Sequence, residues 1–591
     1  MCGILAFKSV REAVNYKKFD EARDTLIHRG PDGFGTEVLE NGKVALGHRR
    51  LSFLDLSEMG KQPMCNEKKT IWISLNGEIY NYLELKKELE GTYQFKSETD
   101  TEVLIYAYQT WGIHQTLQKL KGMYAFIIYD CEKRVMYAAR DRFGIKPLYL
   151  YQDANNVLLA SELKAILAYP TVNVSLSMSS VCDFFTYRYV PSPKSIWNEV
   201  EKLAPATYIE IDKNNIIRKY NYWQLEASET EENENDLVLS IGNAIQESIT
   251  IHARSDVPIG SFLSGGYDSS AIAYFMTKIG LKPSVFSIGF ENWNASEDTY
   301  AKIVADILGL DLKIKTANAD SLQLINIMPD VYDEPIADIS IIPTFMVSKL
   351  ASENVKAVMS GEGADELFVG YWWQKQFQRN QINKVFETLK NFIGCLSFSS
   401  LDYYFNANAM GAIDKKELQT ILMPAYHKYI PADTKWWYRK NFNPHFSNKK
   451  MIQFMDIHCF MGELVLTKVD RASMANSLEV RVPFLDHELF EKIFSLNEKL
   501  YYNPHTTKYL LYEQIKNVFP QEILQRNKQG FVGPDAYYMN IEWYKKELSN
   551  SKLVEAGIIN RSYIDSLLQL DYDWKLWKIL ILEKWYNRWV A

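Results

Sequence analysis

The chain has 591 residues, of which 47% are apolar and 24% charged, and its net charge is −7. That length predicts more than one domain, each with a sizeable core. The acidic balance excludes a basic nucleic-acid surface, and no window approaches the roughly 18 unbroken apolar residues of a membrane span.

The N-terminus, Met1-Cys-Gly-Ile-Leu-Ala-Phe-Lys8, has no basic region and too short an apolar run for a secretory signal. Removal of Met1 would leave Cys2 with a thiol and a free α-amine, whose unperturbed pKa of about 7.7–8.0 suits a general base. One residue then supplies both nucleophile and base. The other cysteines, Cys65, Cys131, Cys182, Cys395 and Cys459, are scattered without a C-x-x-C pair. They indicate a reducing cytoplasm, not a zinc site or a disulfide framework.

Four polar blocks follow, at 29–33, 47–52, 75–81 and 97–102. A guanidinium suits the α-carboxylate of glutamine through a bidentate pair. A carboxylate suits its α-ammonium. An Asn amide beside a glycine N–H suits the oxyanion formed when a thiolate attacks the side-chain amide. With Cys2, these blocks give residues 2 to about 165 a resemblance to the class II glutamine amidotransferase domain. The resemblance implies an Ntn-type (N-terminal nucleophile) four-layer αββα sandwich. It makes Cys2 the nucleophile, and Asn76 and Gly77 the oxyanion hole. It assigns the glutamine carboxylate to Arg50 and the backbone of Leu51, Ser52, Phe53 and Leu54, and the amino group to Glu78 and Asp100.

Apolar segments 123–129 and 135–139 flank a polar turn and read as a hairpin. Residues 140–148 and 160–164 match the same family and read as structural, and 172–225 as connecting strands and loops. From Ser228 to Asp236 there is no apolar residue. Residues 226–235 are therefore the expected linker between a first domain over 2–225 and a second over 236–591.

Helical spacing over 237–251 leads into a strand at 257–263 and then into Ser264-Gly-Gly-Tyr-Asp-Ser-Ser270. Residues 271–279 read as a helix stopped by Gly280. Strand, glycine turn and helix aim free N–H groups and the positive helix end at an anion. The Walker pattern is absent. Further strands are expected at 283–290, 312–315 and 355–360. Helices are expected at 296–308, capped by Ser296 and stopped by Gly309, and from 341 through Lys349. That order predicts a doubly wound parallel sheet with ligands at the carboxyl ends of its strands. Gly361-Glu-Gly-Ala-Asp-Glu366 sits at one such end, and Asp268 and Asp365 are candidate magnesium ligands.

The glycine turn resembles the pyrophosphate loop of ATP pyrophosphatases. Together with blocks at 333–338, 470–472, 479–486 and 505–508, it makes the span 236–535 similar to the synthetase domain of the glutamine-hydrolysing asparagine synthetase family. The tail beyond about 535 carries no motif and reads as helical core or interface. By that resemblance Leu263, Ser264, Gly265, Gly266, Asp268, Ser269, Ser270, Ile288, Ser360, Gly361 and Lys508 contact ATP. Lys508 meets the leaving pyrophosphate as a point charge, and Glu362 assists formation of an acyl adenylate. Mg2+ is required, and a homodimer is common.

The implied reaction passes ammonia from the first domain, through a water-poor route, to an adenylated carboxylate, that of L-aspartate by default. Tyr267 and Val369 depart from the family pattern, in which a smaller aliphatic residue and a glycine are common. Relatives that amidate sugar acids carry such variants, so aspartate and a sugar acid both stand as acceptors. A third reading, a non-catalytic relative that binds glutamine or ATP, is opposed by the intact Cys2, Asn76, Asp268, Asp365 and Lys508.

Overall fold

The computed structural model describes residues 2–226, 233–291, 293, 295–375, 400–503, 505–526 and 530–591. Cys395 and positions 227–232, most of the expected linker, lie outside these. Glu234 already opens the helix Glu234–His252.

The first part stacks two antiparallel sheets of six strands each. One runs in spatial order Val200–Lys202, Tyr149–Gln152, Asn156–Ala160, Gly3–Ser9, Val44–Arg50, Gly33–Leu39. The other runs Ile217–Asn221, Thr207–Ile211, Val135–Arg140, Gly122–Asp130, Ile71–Ile79, Met64–Cys65. Gly3–Ser9 and Ile71–Ile79 are buried at every position, because each sheet is covered on both faces. Alternate residues go to different layers. Ile4, Ala6, Leu46 and Ile127 fill the space between the sheets. Leu5, Phe7 and Ala45 pack with Phe19 and Ala22 of the helix Tyr16–Asp24. Ile73, Leu75 and Phe126 pack with Leu85 and Leu104 of the helices Tyr82–Leu89 and Asp100–Lys119. This is the expected αββα layering, and the expected hairpin pairs Gly122–Asp130 with Val135–Arg140. The reading of 172–225 as strands and loops is corrected by a helix, Met178–Tyr187, buried at all positions but Ser179. The signal is present in the sequence: Met178, Val181, Cys182 and Phe185 recur at helical spacing, and the Ser177 side chain caps the helix by accepting the Ser180 N–H.

The second part holds a parallel sheet in the order Leu312–Ala317, Val285–Phe290, Ile259–Phe262, Ala357–Met359, Glu479–Arg481. Helices Glu234–His252, Tyr267–Lys278 and Asp298–Leu308 pack in sequence on one another, and Ile341–Ser352 packs on Thr467–Met474. The chain winds outward in both directions from Ile259–Phe262. This makes a topological switch point, where two loops leave neighbouring strand ends and open a crevice. Helix Tyr267–Lys278 starts earlier than 271, so Asp268, Ser269 and Ser270 stand in its first turn. Ser296 is not the cap of the next helix. Its Oγ accepts the Phe290 N–H at 2.9 Å, and Glu297 takes the cap position. The Trp-rich tail is core: in Lys575–Trp589, Trp577 and Trp585 are buried. Among the described residues no helix is long and apolar enough to cross a membrane.

Candidate active site

The first candidate centre forms where Gly3–Ser9 faces Ile71–Ile79. Cys2 is 7% exposed. Its backbone nitrogen donates to Asn76 Oδ1 at 3.0 Å, and its carbonyl accepts from Arg29 Nε at 3.1 Å. The other end of the Asn76 amide, Nδ2, is buried and has no partner. Gly77 follows at φ +151, where a Cβ would lie 2.1 Å from Met123 O. An unsatisfied donor beside a thiol is what a developing oxyanion needs. Burial raises the Cys2 thiol pKa, and the Leu51 N–H and the Arg50 charge pull it back.

Glu78 and Asp100 are both buried. Burial holds Glu78 well above the carboxylate range; Glu479 adds to this, and Arg481 at 3.4 Å opposes it. Burial lifts Asp100 to about 6, against a hydrogen bond from the Ile79 N–H at 2.8 Å. Two carboxyls pushed toward their neutral forms gain most from a cation placed beside them. Arg50 commits its guanidinium to the carbonyls of Leu54, Asp55 and Ser57, at 3.1, 2.5 and 3.0 Å. That fastens the loop in which Leu51, Ser52, Phe53 and Leu54 are buried.

The second centre is a cavity of about 590 Å³ at the switch point. Leu263, Ser264, Gly266, Asp268 and Ser269 line it from one loop, Ser360, Gly361, Glu362 and Asp365 from the other, and Lys508 from a third segment. Gly265, Ser270 and Ile288 do not reach its wall; Phe286 and Ser287 do. A Cβ on Gly361 would lie 2.6 Å from Asp268 Cβ, so the two loops approach this closely only with glycine there. Ser269 Oγ accepts the Ser264 N–H at 3.1 Å, which fixes the turn. Ser360 Oγ donates to Glu362 Oε2.

Lys508 Nζ lies 2.5 Å from Asp268 Oδ1 and 2.6 Å from Asp365 Oδ1. Burial alone would lower its pKa, but the two carboxylates outweigh this and raise it. Both carboxylates therefore converge on one cation-sized point. Hard oxygen donors, two in number, fit Mg2+, which is commonly held by one or two carboxylates together with substrate phosphates. Among the described residues no three His, Cys, Asp or Glu gather into a metal cage.

Sequence reasoning missed part of this wall. Arg188 comes from the end of the unforeseen helix, with its Nη1 4.0 Å from Asp338 Oδ2. Its Nε is buried without a hydrogen-bond partner. Lys468 Nζ donates to Ser340 Oγ at 2.8 Å, and the Ser340 N–H donates to Asp338 at 2.8 Å. Tyr371 and Trp373 stack at 4.1 Å with 13° between their planes. No local pattern joins these residues; the fold does. The two departures also find places. The Tyr267 hydroxyl donates to Leu524 O, a strut to the end of the short helix Gln521–Leu524. Val369 stands at φ +59, the left-handed region that explains a glycine in the family pattern.

Asp470 and Arg471, whose kind usually form surface salt bridges, are buried. Arg29 meets Glu162 at 2.8 Å and Asp470 at 2.9 Å, and Arg471 meets Glu162 at 2.8 Å and also Asp333. All five are at most 4% exposed. Arg481 spans both centres: its side chain faces Glu78, and its carbonyl accepts the Ser360 N–H at 2.9 Å.

Comparison with known proteins agrees with this geometry. Residues 1–223 match the glutamine amidotransferase domain and residues 240–587 match asparagine synthase. The chain is 33% identical to a glutamine-hydrolysing asparagine synthetase of Bacillus subtilis, over 95% of this chain and 92% of that protein. It is 28% identical to another B. subtilis protein of that name, over 97% and 94%. It is 26% identical to an amidase of Gibberella zeae, over 96% and 93%. The chain belongs to the asparagine synthase family, as an ATP-using enzyme of glutamine-dependent amide synthesis.

Proposed function

We propose that the chain makes L-asparagine from L-aspartate, with glutamine as nitrogen donor and ATP converted to AMP and pyrophosphate. At the first centre Cys2 Sγ attacks the glutamine side-chain amide, and the α-amine of a mature Cys2 takes the thiol proton. Asn76 Nδ2 and the Gly77 N–H receive the charge that develops on the amide oxygen. Glu78 and Asp100 hold the α-ammonium, and the 51–54 loop, with the Arg50 N–H groups that its carbonyls leave unused, holds the α-carboxylate. Ammonia departs, and water then frees glutamate. At the second centre the 263–270 turn holds the triphosphate. Glu362 assists attack of the acceptor carboxylate on the α-phosphorus, and Lys508 offers its charge to the departing pyrophosphate. Asp268 and Asp365 would hold Mg2+, which when bound neutralises phosphate charge.

One observation carries the choice of aspartate. Apart from the groups assigned to ATP (Asp268, Glu362, Asp365, Lys508), the Arg526–Glu297 ion pair and Glu366, which accepts from the Tyr371 hydroxyl, the wall offers two cations, Arg188 and Lys468, and one carboxylate, Asp338. Aspartate has two carboxylates and one ammonium, the complementary set, and the unpartnered Arg188 Nε supports an acceptor group there. A sugar acid is the second reading, favoured by the stacked Tyr371 and Trp373 and by Trp372, which is 53% exposed. AMP release measured with glutamine, Mg-ATP and either aspartate or uronic acids tests both. Release with aspartate supports the first reading, and release with uronic acids alone replaces it. No release with any acid defeats the synthetase assignment. A homodimer is the proposed assembly, and a monomer in light scattering would overturn it.

A further inference from the structure

A second cavity, of about 430 Å³, lies between the two parts of the chain, away from both centres. Arg142, Ser192 and Lys202 line it from one side, and Trp437, His458 and Glu463 from the other. Ser192 Oγ, Arg142 Nε, Trp437 Nε1 and His458 Nε2 are all buried without a hydrogen-bond partner. Ser192, Trp437 and Arg142 are 2%, 6% and 7% exposed. An unmet buried polar group costs about 1–3 kcal/mol, so four around one cavity, two of them obligate donors, are not what packing alone produces. Arg142 Nε and Trp437 Nε1 can donate but not accept, so the missing partner must bring acceptors. Of the charged lining, Lys202 meets Glu334 and Glu463 and Lys219 meets Glu201, while the Arg142 terminal nitrogens donate to backbone carbonyls only, so the Arg142 and Lys440 charges are left without a carboxylate among the described residues. Phe143, Trp223 and Trp437 add flat apolar surface.

We propose that this cavity binds a small organic anion, a carboxylate on a flat apolar body, and that its occupancy is felt at the acceptor pocket. The partition between the two cavities is the π-helical stretch Asp456–Leu466. Its Ile457, His458, Gly462 and Glu463 line this cavity, and its Phe460 and Val465 line the synthetase cavity. π-helical turns are rare and are found frequently at functional sites. The segment from Arg188 to Ser192 makes a second bridge, with Arg188 on one cavity and Ser192 on the other.

The probe is phenylacetate, titrated calorimetrically into the full chain, with 2-phenylethylamine as a cation of similar shape. Phenylacetate is expected to give saturable heat and the amine none. Trp437→Phe keeps the ring and removes the N–H, and Ser192→Ala removes the hydroxyl. Each is expected to weaken phenylacetate by about tenfold, the loss of one buried hydrogen bond to a charge. Asp268→Asn, in the other cavity, is expected to leave the binding heat unchanged. Saturating phenylacetate should shift the acceptor KM severalfold. No saturable heat, equal heat with the amine, or indifference of both pocket variants would overturn the site. An unmoved acceptor KM would overturn the coupling.

Discussion

Asn76→Ala probes the first centre where its geometry is most specific. The substitution removes two things. The first is the buried Nδ2, which lacks a protein partner and is the donor assigned to the oxyanion. One such donor is worth about 3 kcal/mol, or 10²–10³ in rate. The second is the Oδ1 acceptor, 3.0 Å from the Cys2 nitrogen, which holds the nucleophile's backbone. One neutral hydrogen bond contributes about 1 kcal/mol. Together they make about 4 kcal/mol, or roughly 10³-fold at 1.36 kcal/mol per decade. The assay compares glutamate release from glutamine with amide synthesis from ammonium salts. The first should fall about a thousandfold in kcat/KM, while the second stays within about twofold, because Asn76 lies in the sandwich and outside the synthetase cavity. A fall of less than about tenfold, or an equal fall in both, would refute the assigned role.

Cys2→Ala should abolish use of glutamine and spare synthesis from ammonium salts; parallel loss of both removes the division of labour. Asp268→Asn should stop AMP release, as followed by chromatography of the nucleotides, and undiminished release excludes Asp268 from the mechanism. Asp100 has a folded-state pKa of about 6, raised by burial from 3.8. Its protonated form therefore persists to about pH 6, and the stability it contributes is lost as pH rises through that value. Below about pH 6 the neutral carboxyl offers no charge to an ammonium, so the glutamine KM should climb as pH falls; Asp100→Asn should flatten that profile, and an unchanged profile counts against the assignment. Asp470→Ala leaves the Arg29 charge, 0% exposed, with one carboxylate fewer. Removing one partner of a buried pair costs about 3–5 kcal/mol, so its thermal transition should fall sharply; a transition near that of the parent would show that the network relaxes.

What the sequence made legible was what it encodes locally. The glycine turn at 264–270, the strands around it and the Gly309 stop could be placed because turn chemistry and apolar runs are short-range signals. The start of helix Tyr267–Lys278 was less legible, because glycine and serine resemble loop until the helix recruits them as its first turn. Met178–Tyr187 was legible but passed over: Met178, Val181, Cys182 and Phe185 recur at helical spacing behind the Ser177 cap. Arg188, Lys468 and Arg481 could not be given their places from sequence, since a cation's partner is decided by which surfaces the fold brings together. Val369 shows the intermediate case. The absence of an expected glycine was visible in the chain, but its meaning, a β-branched residue held at positive φ, needed backbone geometry.

The strand Glu479–Arg481 bears on how two chemistries on one chain stay in step. It is the edge of the parallel sheet. Through one residue it touches Glu78 with a side chain and Ser360 with a carbonyl. A shift of that strand would therefore be felt in both centres at once. The neighbouring buried ions make such a shift cooperative, since separating the two parts would strip Arg29 and Arg471 of partners they cannot do without. The same ions bear on the passage of nitrogen. Arg29, Lys146, Arg471 and Arg481 are each at most 1% exposed, and the acids among them, Glu162, Asp333, Asp470 and Glu479, are already paired. A dry interface whose carboxylates are neutralised by guanidinium groups repels NH4+ and is indifferent to NH3. If ammonia released beside Cys2 crosses this interface, as the proposed function requires, the charge pattern favours its nucleophilic form.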